Sequence, residues 1–263
     1  MSSTTVTCTI DSRGIATVTL NNPDKHNAFD DGMIAALSEH FTTLATNDEV
    51  RALVLASSGR SFSAGADLNW MKRMADYSFE ENLRDANALA NMLQQLNTMP
   101  KPTIARVQGA AFGGAVGLVS CCDMAIASSR ASFCLSEVRI GLVPATISPY
   151  VIDAIGQRAA RRYFTTAERF SAQRAQILGL VSEVVDEEEL DSQLEHLLSQ
   201  ILANGPHAVA AAKQLLFEVA GRPIDDELIG STCERIASIR VSPEGQAGLG
   251  AFLDKQSPPW IKE

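Results

Sequence analysis

The stretch from Thr103 to Ile126, TIARVQGAAFGGAVGLVSCCDMAI, holds the clearest strand-to-helix pattern in the chain. Thr103 to Val107 is a short apolar run of the kind that forms a buried strand. A glycine-rich segment, Gln108 to Gly117, follows at once, and a second apolar run extends from Leu118 to Ile126. The pattern predicts a strand, a tight turn and then a helix.

The small residues of this turn, Gly109 to Gly117, precede the predicted helix. N–H groups at a helix N-terminus are unpaired and lie at the positive end of the helix dipole, so the segment can hold an anion. It lacks the Lys-Ser/Thr ending of a P-loop and does not match GxGxxG, which argues against those kinds of nucleotide binding. Close packing of helix on strand is the structural alternative, and the segment by itself favours neither.

Strands and helices alternate on both sides of this stretch. Ile15 to Leu20 and Arg51 to Ala56 are predicted strands, and the second has the continuous apolar run of a strand covered on both faces. Helical spacing of apolar residues starts near Asp30 and recurs over Phe79 to Leu96. Val181 to Val185 is a predicted edge strand. The later predicted helices are Glu187–Ala203, Pro206–Ala220, Asp225–Ile239 and Pro243–Leu253. This order predicts an α/β protein with a mostly parallel sheet flanked by helices.

The composition excludes several classes of partner. The 263 residues carry a formal net charge of -9, whereas a nucleic-acid surface needs a basic stripe. The histidines lack metal-ligand spacing, and the five cysteines lack CxxC spacing and are expected to be reduced thiols. No apolar signal core and no run of membrane length occurs. We therefore expect a cytoplasmic protein without metal, nucleic-acid or membrane partners.

A second segment of small residues, Gly59 to Leu68, follows the predicted strand Arg51 to Ala56. Small residues around Gly65 let a ligand approach the backbone. Taken alone, a tight surface turn with Asp67 as a helix N-cap is the better interpretation. Two such segments, each after a strand, can however direct two backbone N–H groups at one carbonyl oxygen, which is the geometry of an oxyanion hole.

Glu137 is the most suggestive acid because it lies among apolar neighbours. Desolvation there would raise the pKa of its carboxyl group and suit it to proton transfer near neutral pH. By itself, a solvated Glu or one paired with Arg139 is the commoner outcome. Lys25 and His26 follow a turn and can meet a phosphate, although a solvated loop is more frequent. No Ser-His-Asp or Cys-His arrangement supports covalent acyl transfer.

Several motifs occur in an order and spacing that resemble one known family. They are Asn22–Phe29 (NPDKHNAF), Phe62–Leu68 (FSAGADL), Gln108–Gly109 with Gly113–Gly114, Cys122–Asp123, and Ser136–Glu137 with Gly141–Pro144 (GLVP). From about Val6 to its C-terminus the chain resembles the crotonase, or enoyl-CoA hydratase/isomerase, family.

The resemblance implies a crotonase-like spiral of ββα units over residues 1–200, with the active site, and a helical trimerisation region over 201–263. It implies a homotrimer or a dimer of trimers. The substrate would be an acyl-CoA thioester, so coenzyme A is part of the substrate and no separate cofactor is expected.

The resemblance also assigns roles to matched positions. The N–H groups of Ala66 and Gly114 would form the oxyanion hole, and Glu137 would transfer the proton. The positions that would contact the substrate or coenzyme A are Lys25, His26, Ala28, Ala64, Gly65, Asp67, Leu68 and, from a neighbouring subunit, Lys255.

The chain departs from the family at Gly117, where standard hydratases carry the first of two water-holding glutamates. Ser136 also replaces the usual proline before the second. A single acid is what family isomerases use to move a proton between C4 and C2. Residues 111–118, 133–142 and 147–150 nevertheless resemble bacterial hydratases of branched glutaconyl-CoA thioesters, including 3-methylglutaconyl-CoA and its isohexenyl analogue.

We therefore expect a hydratase that acts on a branched or carboxylated enoyl-CoA. A double-bond isomerase and a non-catalytic protein that binds CoA esters remain the alternatives. A substrate carboxylate needs a cation nearby, and Arg139, Lys72 and Arg73 are the candidates, among which the sequence does not select.

Overall fold

The computed structural model describes residues 5–261, which form two compact units. The first unit extends to Met99 and resumes over Thr103–Glu195, and the second combines Pro100–Pro102 with the residues from His196 onward. This boundary falls close to the division expected at residue 200. The role of the second part in oligomerisation stays a prediction.

The described residues contain nine strands, ten α-helices and three short 3₁₀ helices. The strands are β1 Val6–Ile10, β2 Ile15–Leu20, β3 Ala52–Ser57, β4 Thr103–Val107, β5 Ala111–Phe112, β6 Met124–Ser128, β7 Ser132–Cys134, β8 Phe170–Ser171 and β9 Glu183–Val185. The α-helices are α1 Asp31–Thr46, α2 Leu68–Ala75, α3 Phe79–Asn97, α4 Gly114–Cys121, α5 Ser148–Thr166, α6 Ala172–Leu178, α7 Leu190–Leu202, α8 Pro206–Val219, α9 Asp226–Val241 and α10 Pro243–Leu253. The 3₁₀ helices are Pro23–Lys25, Glu137–Ile140 and Glu187–Glu189.

The main sheet has the strand order β1-β2-β3-β4-β6-β9. The β1 and β2 strands pair antiparallel, and every other pair in this sheet is parallel. All six residues of β3 are buried, as expected for a central strand covered on both faces. The β9 strand lies at the edge, so the predicted edge strand and the mostly parallel sheet are confirmed.

A smaller sheet has the strand order β5-β7-β8. Two of its strands lead into the predicted glycine turn and the predicted acid. In the parallel β5–β7 pair Phe112 lies opposite Cys134, and in the antiparallel β7–β8 pair Phe133 lies opposite Phe170. Gly113 follows β5 directly, and Glu137 comes three residues after β7. The small sheet therefore brings the glycine turn and the acid to one end of the same two strands.

The α1 helix shows why the pattern predicted it correctly. Asp30 is the N-cap, and its carboxylate accepts a 2.8 Å hydrogen bond from the Met33 amide. One face of the helix is buried, with members spaced three or four residues apart. These buried residues are Met33, Ile34, Leu37, Phe41 and Leu44.

The helix predicted to continue through Ile126 is wrong in its second half. The α4 helix ends at Cys121, and Met124–Ser128 forms β6, with Met124 opposite Ile104. The Asp123 carboxylate accepts hydrogen bonds from the amide and hydroxyl of Thr103, at 2.7 and 3.1 Å, and so fixes the turn between α4 and β6. A continuous apolar run does not distinguish a buried helix from a buried strand, so the sequence pattern left this boundary undetermined.

The second unit is almost entirely helical, as predicted. Its helices begin at recognisable caps: Asp225 accepts the Leu228 amide at the start of α9, and Ser242 accepts the Gly245 amide at the start of α10. No helix among the described residues is long and apolar enough to cross a membrane. The cytoplasmic location stays a prediction.

Asn27 holds the loop that precedes α1. Its side chain is fully buried, its Oδ1 accepts the Asn22 amide at 2.8 Å, and its Nδ2 donates to the carbonyls of Ser58 and Ser61 at 2.8 and 3.0 Å. Its φ of 53° lies in the left-handed region, which asparagine tolerates better than most residues. One side chain thus fastens the segment with Lys25 to the segment that leads to Gly65.

We expect Asn27→Ala to lower the free energy of unfolding by about 3 kcal/mol, because three buried hydrogen bonds are lost. Asn27→Gly loses the same bonds without the strain of a left-handed alanine, so it should be about 1 kcal/mol less destabilised. Urea unfolding of the three proteins measures both differences. Equal stability of Asn27→Ala and wild type would contradict this role.

Candidate active site

The two glycine-bearing turns lie directly against each other. The Ser63 amide donates to the Ala110 carbonyl and the Phe112 amide donates to the Ser63 carbonyl, both at 3.0 Å. A Cβ placed on Gly65 would lie 3.3 Å from the Phe112 carbonyl oxygen, and one placed on Gly113 would lie 3.8 Å from the Gly65 Cα. The two turns therefore lie together in the structure, as the sequence predicted.

The amides of Ala66 and Gly114, which follow these glycines, donate to no protein acceptor within residues 5–261. Both neighbours of Ala66 are engaged with Phe29, which donates to the Gly65 carbonyl and accepts the Asp67 amide, each at 2.7 Å. Gly114 is the first residue of α4, where an unpaired N–H also carries the positive end of the helix dipole. Two main-chain donors are thus available at the meeting point of the turns.

Glu137 places a carboxyl group beside this meeting point. A Cβ built on Gly113 would lie 3.2 Å from Glu137 Oε1. Glu137 Oε2 is buried and has no hydrogen-bond partner among the described residues. Burial raises the pKa of Glu137 above its ordinary value, because the desolvated carboxylate is disfavoured.

The alternative of a Glu137 neutralised by Arg139 is not what the structure contains. Arg139 Nη2 donates a 2.5 Å hydrogen bond to the carbonyl of Ala167. This bond ties the short helix Glu137–Ile140 to the loop after α5. Arg139 therefore anchors the backbone that carries the acid.

Lys25 and Asp67, both predicted to contact coenzyme A, pair with each other. Lys25 Nζ lies 3.0 Å from Asp67 Oδ2, and this bond holds the pKa of Asp67 below its ordinary value. Asp67 Oδ1 accepts the amides of Asn69 and Trp70, so this carboxylate is the N-cap of α2. The structural interpretation of Asp67 as a cap is confirmed, and any contact with coenzyme A stays a prediction.

The remaining predicted contact positions differ in location. His26 has a left-handed φ of 51°, and its Nδ1 lies 3.2 Å from Ser61 Oγ. Ala64 and Leu68 are exposed beside the turn, and Ala28 is half-buried. Lys255 is an exposed residue of the second unit, just after α10. These positions are open to a ligand, and their roles stay predictions.

Position 117 has no room for a side chain. A Cβ placed on Gly117 would lie 2.3 Å from Ile147 Cγ2, far inside van der Waals contact. No cluster of His, Cys, Asp or Glu suited to a metal ion occurs in the described part of the chain. Glu137 is thus the acid that the structure places against the Gly113 turn, and position 117 adds no second one.

Sequence reasoning missed three residues on which the site depends. Asn27 lies within the Asn22–Phe29 motif, and an asparagine directly after a turn is a recognisable signal for a left-handed, hydrogen-bonded loop residue. Cys134 fixes the glycine turn through its carbonyl, which accepts the Gly113 amide at 2.8 Å. Ile147 carried no signal, because its contact with Gly117 joins positions 30 residues apart in the chain.

The enoyl-CoA hydratase/isomerase family model matches residues 11–263. The chain belongs to this family.

A solved structure of an enoyl-CoA hydratase from Shewanella pealeana is 50% identical, with 97% of this chain and 96% of that chain covered and a TM-score of 0.94. The structure of Pseudomonas aeruginosa AtuE is 32% identical, with 98% and 100% covered and a TM-score of 0.93. The curated enoyl-CoA hydratase AKT6-1 of Alternaria alternata is 31% identical over 91% of this chain and 78% of that protein.

Family membership confirms the crotonase-like α/β fold and the hydratase/isomerase class of enzyme. It also implies an acyl-CoA thioester as substrate. The roles of the two unpaired amides and of Glu137 in the reaction stay predictions.

Glu137→Gln should change the pH dependence of stability. Because the folded state raises the pKa of Glu137, the stability contributed by the protonated group is full below the ordinary glutamate pKa and is lost as pH rises through the raised value. Glutamine stays neutral, so the variant should be more stable than wild type near pH 8, and this advantage should vanish near pH 4.

Urea unfolding at the two pH values measures the effect. Glu39→Gln makes the same replacement at an exposed position of α1 and serves as the matched control. A Glu137→Gln difference that does not vary with pH, or that equals the control, would refute a desolvated acid at this position.

Proposed function

We propose that the protein is a hydratase that adds water across the 2,3 double bond of a branched or carboxylated enoyl-CoA. The observation that carries the proposal is the half-buried Glu137, whose Oε2 is buried without a partner, beside two unpaired main-chain donors, Ala66 and Gly114. The donors stabilise the negative charge that collects on the thioester oxygen, and the acid moves the proton. Such donors act strongly because they are already oriented and need no reorganisation during the reaction.

The proposed chemistry balances with one acid. Water attacks C3, the electrons of the double bond move toward the thioester oxygen, and the Ala66 and Gly114 amides hold the resulting enolate. The protonated Glu137 delivers its proton to C2, while its second oxygen accepts the proton that water loses. The carboxyl group ends as it began, and desolvation, which raises the pKa of Glu137, favours the protonated form with which the cycle starts.

Coenzyme A enters as part of the substrate, and no separate cofactor takes part in the proposed reaction. Lys25, His26, Ala28, Ala64 and Leu68 are proposed to line its path, because they are exposed or half-exposed beside the Gly65 turn. Lys255 is proposed to reach it from a neighbouring subunit of a homotrimer or a dimer of trimers.

A substrate carboxylate would need a cation, and the three candidates differ in the contacts that they already make. Arg73 pairs with Asp31 at 2.5 Å, and Arg139 donates to the Ala167 carbonyl. Lys72 is exposed on α2 and forms no ion pair within residues 5–261. We therefore propose Lys72 as the residue that meets the carboxylate.

The second candidate function is a double-bond isomerase. The observation that favours it is the closed space at Gly117, which leaves Glu137 as a single acid. One carboxylate can remove a proton at C4 and return it at C2 while the same two donors hold the enolate. The hydratase is preferred because the local sequence resembles hydratases of branched glutaconyl-CoA and because relatives up to 50% identical are named hydratases.

Glu137→Gln should lower kcat by about 1,000-fold, because it removes the proton-transferring group and leaves the backbone donors in place. Affinity for a saturated acyl-CoA should remain within about two-fold of wild type, since uniform binding is unaffected. Stopped-flow kinetics and calorimetric titration measure the two quantities, with Glu39→Gln as control. Unchanged turnover would remove Glu137 from the mechanism, and binding without turnover in wild type would favour the non-catalytic alternative.

A panel of thioesters should separate hydratase from isomerase. We expect 3-methylglutaconyl-CoA to be hydrated and crotonyl-CoA to be a poor substrate, with kcat/KM lower by at least about 100-fold. Mass spectrometry of the products distinguishes a gain of one water from a shifted double bond. Products of unchanged mass would establish the isomerase, and efficient hydration of crotonyl-CoA would overturn the proposed specificity.

A further inference from the structure

Residues 167–169, which follow α5, contact both the segment that carries the acid and the glycine turn. The Ala167 carbonyl accepts a 2.5 Å hydrogen bond from Arg139 Nη2. Two residues later, the Arg169 guanidinium lies over the Phe112 ring, with its Cζ 4.7 Å from the ring centroid. We call this segment the 167–169 loop.

The Arg139 contact holds the acid. Arg139 belongs to the short helix Glu137–Ile140, which begins at the acid itself. A hydrogen bond from a charged guanidinium is stronger than one between neutral groups. The bond to the Ala167 carbonyl therefore fixes this short helix, and with it the backbone of Glu137, relative to the 167–169 loop.

Two contacts hold the glycine turn. Phe112, whose ring Arg169 covers, directly precedes Gly113 and lies opposite Cys134 in the β5–β7 pair. The Cys134 thiol donates to the Ala167 carbonyl at 3.2 Å, while the main-chain carbonyl of the same cysteine accepts the Gly113 amide at 2.8 Å. The 167–169 loop thus contacts both residues of one strand pair, at the point where the chain turns toward the second donor.

The 167–169 loop has an unfavourable backbone conformation. Ala167 is fully buried and has a φ of 49°, in the left-handed region, which is costly for alanine. Its amide donates to the Tyr163 carbonyl at 3.2 Å, and Glu168 Oε2 lies 3.0 Å from Arg162 Nη2. Strain of this kind persists only where the surrounding structure imposes it, and it is concentrated at functional sites.

The Phe112 ring is the partner that the Arg169 side chain has in this structure. Within residues 5–261 the Arg169 side chain forms neither an ion pair nor a hydrogen bond. A planar guanidinium stacks well on an aromatic face. The contact therefore orients the arginine and restrains the ring from the solvent side.

We propose that the 167–169 loop sets the distance between Glu137 and the Gly113–Gly114 turn, with Arg139 and Arg169 as positioning residues. This inference rests on the proposed function. Neither arginine has to touch the substrate, because one acts through the helix that carries the acid and the other through the ring that it covers. Proton transfer to a held enolate needs this distance to be fixed, and a shift of about 1 Å can lower a rate about 100-fold.

Arg169→Ala should lower kcat by about ten-fold, because the glycine turn loses one of its contacts. Affinity for butyryl-CoA, measured by calorimetric titration, should stay within about two-fold of wild type, since both donors remain present. Arg169→Lys keeps a cation that can lie over Phe112, so it should retain at least about a third of the wild-type kcat. Arg158→Ala removes an exposed arginine of α5 and serves as the matched control.

Infrared spectroscopy reports the position of the donors without turnover. The carbonyl band of isotope-labelled butyryl-CoA moves to lower frequency when hydrogen-bond donors polarise the thioester. In Arg169→Ala the band should move back toward its position in free butyryl-CoA, whereas in Arg158→Ala it should not. Loss of folded protein weakens the band and leaves its frequency unchanged. Phe112→Leu removes the ring from the same contact and stands in if Arg169→Ala does not fold.

The coupling between Arg139 and Arg169 tests whether the 167–169 loop acts as one unit. If the loop sets one distance, the loss of either contact already releases it. Arg139→Ala should then also lower kcat by about ten-fold, and the double variant by no more than about 20-fold. Independent effects would multiply to about 100-fold, and that result would overturn the inference.

The outcomes separate this inference from the proposed function. If Glu137→Gln is inactive but Arg169→Ala matches Arg158→Ala in kcat and in band position, the role of the 167–169 loop is wrong and the proposed function stands. If Glu137→Gln retains turnover, the proposed function fails, while a band shift in Arg169→Ala still supports the hold of the loop on the donors.

Discussion

The close approach of two backbone turns is the constraint on which the active site depends. Gly65 has a φ of 95°, which favours glycine, and a Cβ at this position would lie only 3.3 Å from the Phe112 carbonyl oxygen. A glycine here therefore allows both the left-handed backbone conformation and the close approach of the second turn. Main-chain hydrogen bonds between Ser63 and the strand at Ala111 hold the turns in register. The Ala66 and Gly114 amides are therefore placed by the backbone itself, and no flexible side chain is needed to aim them.

Beside this contact, Glu137 Oε2 is buried without a hydrogen-bond partner. A buried polar atom that lacks a hydrogen bond destabilises a protein and is uncommon. Here the acid projects from a short helix that Arg139 anchors to the Ala167 carbonyl, so the backbone that carries it is held in place. The same desolvation that destabilises the ionised group raises the pKa of Glu137 and suits it to proton transfer.

The glutamate that the family resemblance predicts for position 117 would have no room in this structure. In this chain the residue facing Gly117 is Ile147, which is the N-cap of α5 and is almost completely buried. Replacement of Gly117 alone would place side-chain atoms inside Ile147. The two residues therefore form one unit of packing, and the departure from the two-glutamate pattern extends beyond a single position.

The sequence by itself determined the strands β2, β3 and β4, the amphipathic α1 and α3, the capping role of Asp67 and, through ordered motifs, the family. These features depend on local periodicity, turn chemistry and short-range hydrogen bonds, which neighbouring residues encode. The end of α4 was missed because the apolar run continues through it, and only the bonds between Asp123 and Thr103 mark the change to β6. Tertiary structure alone decided that Glu137 Oε2 is buried and that this acid is not paired with Arg139. It also decided that Lys25 and Asp67 bind each other and that Ile147 closes the space at Gly117. Each of these facts depends on a contact between residues distant in the chain or on the exclusion of water, neither of which local sequence specifies.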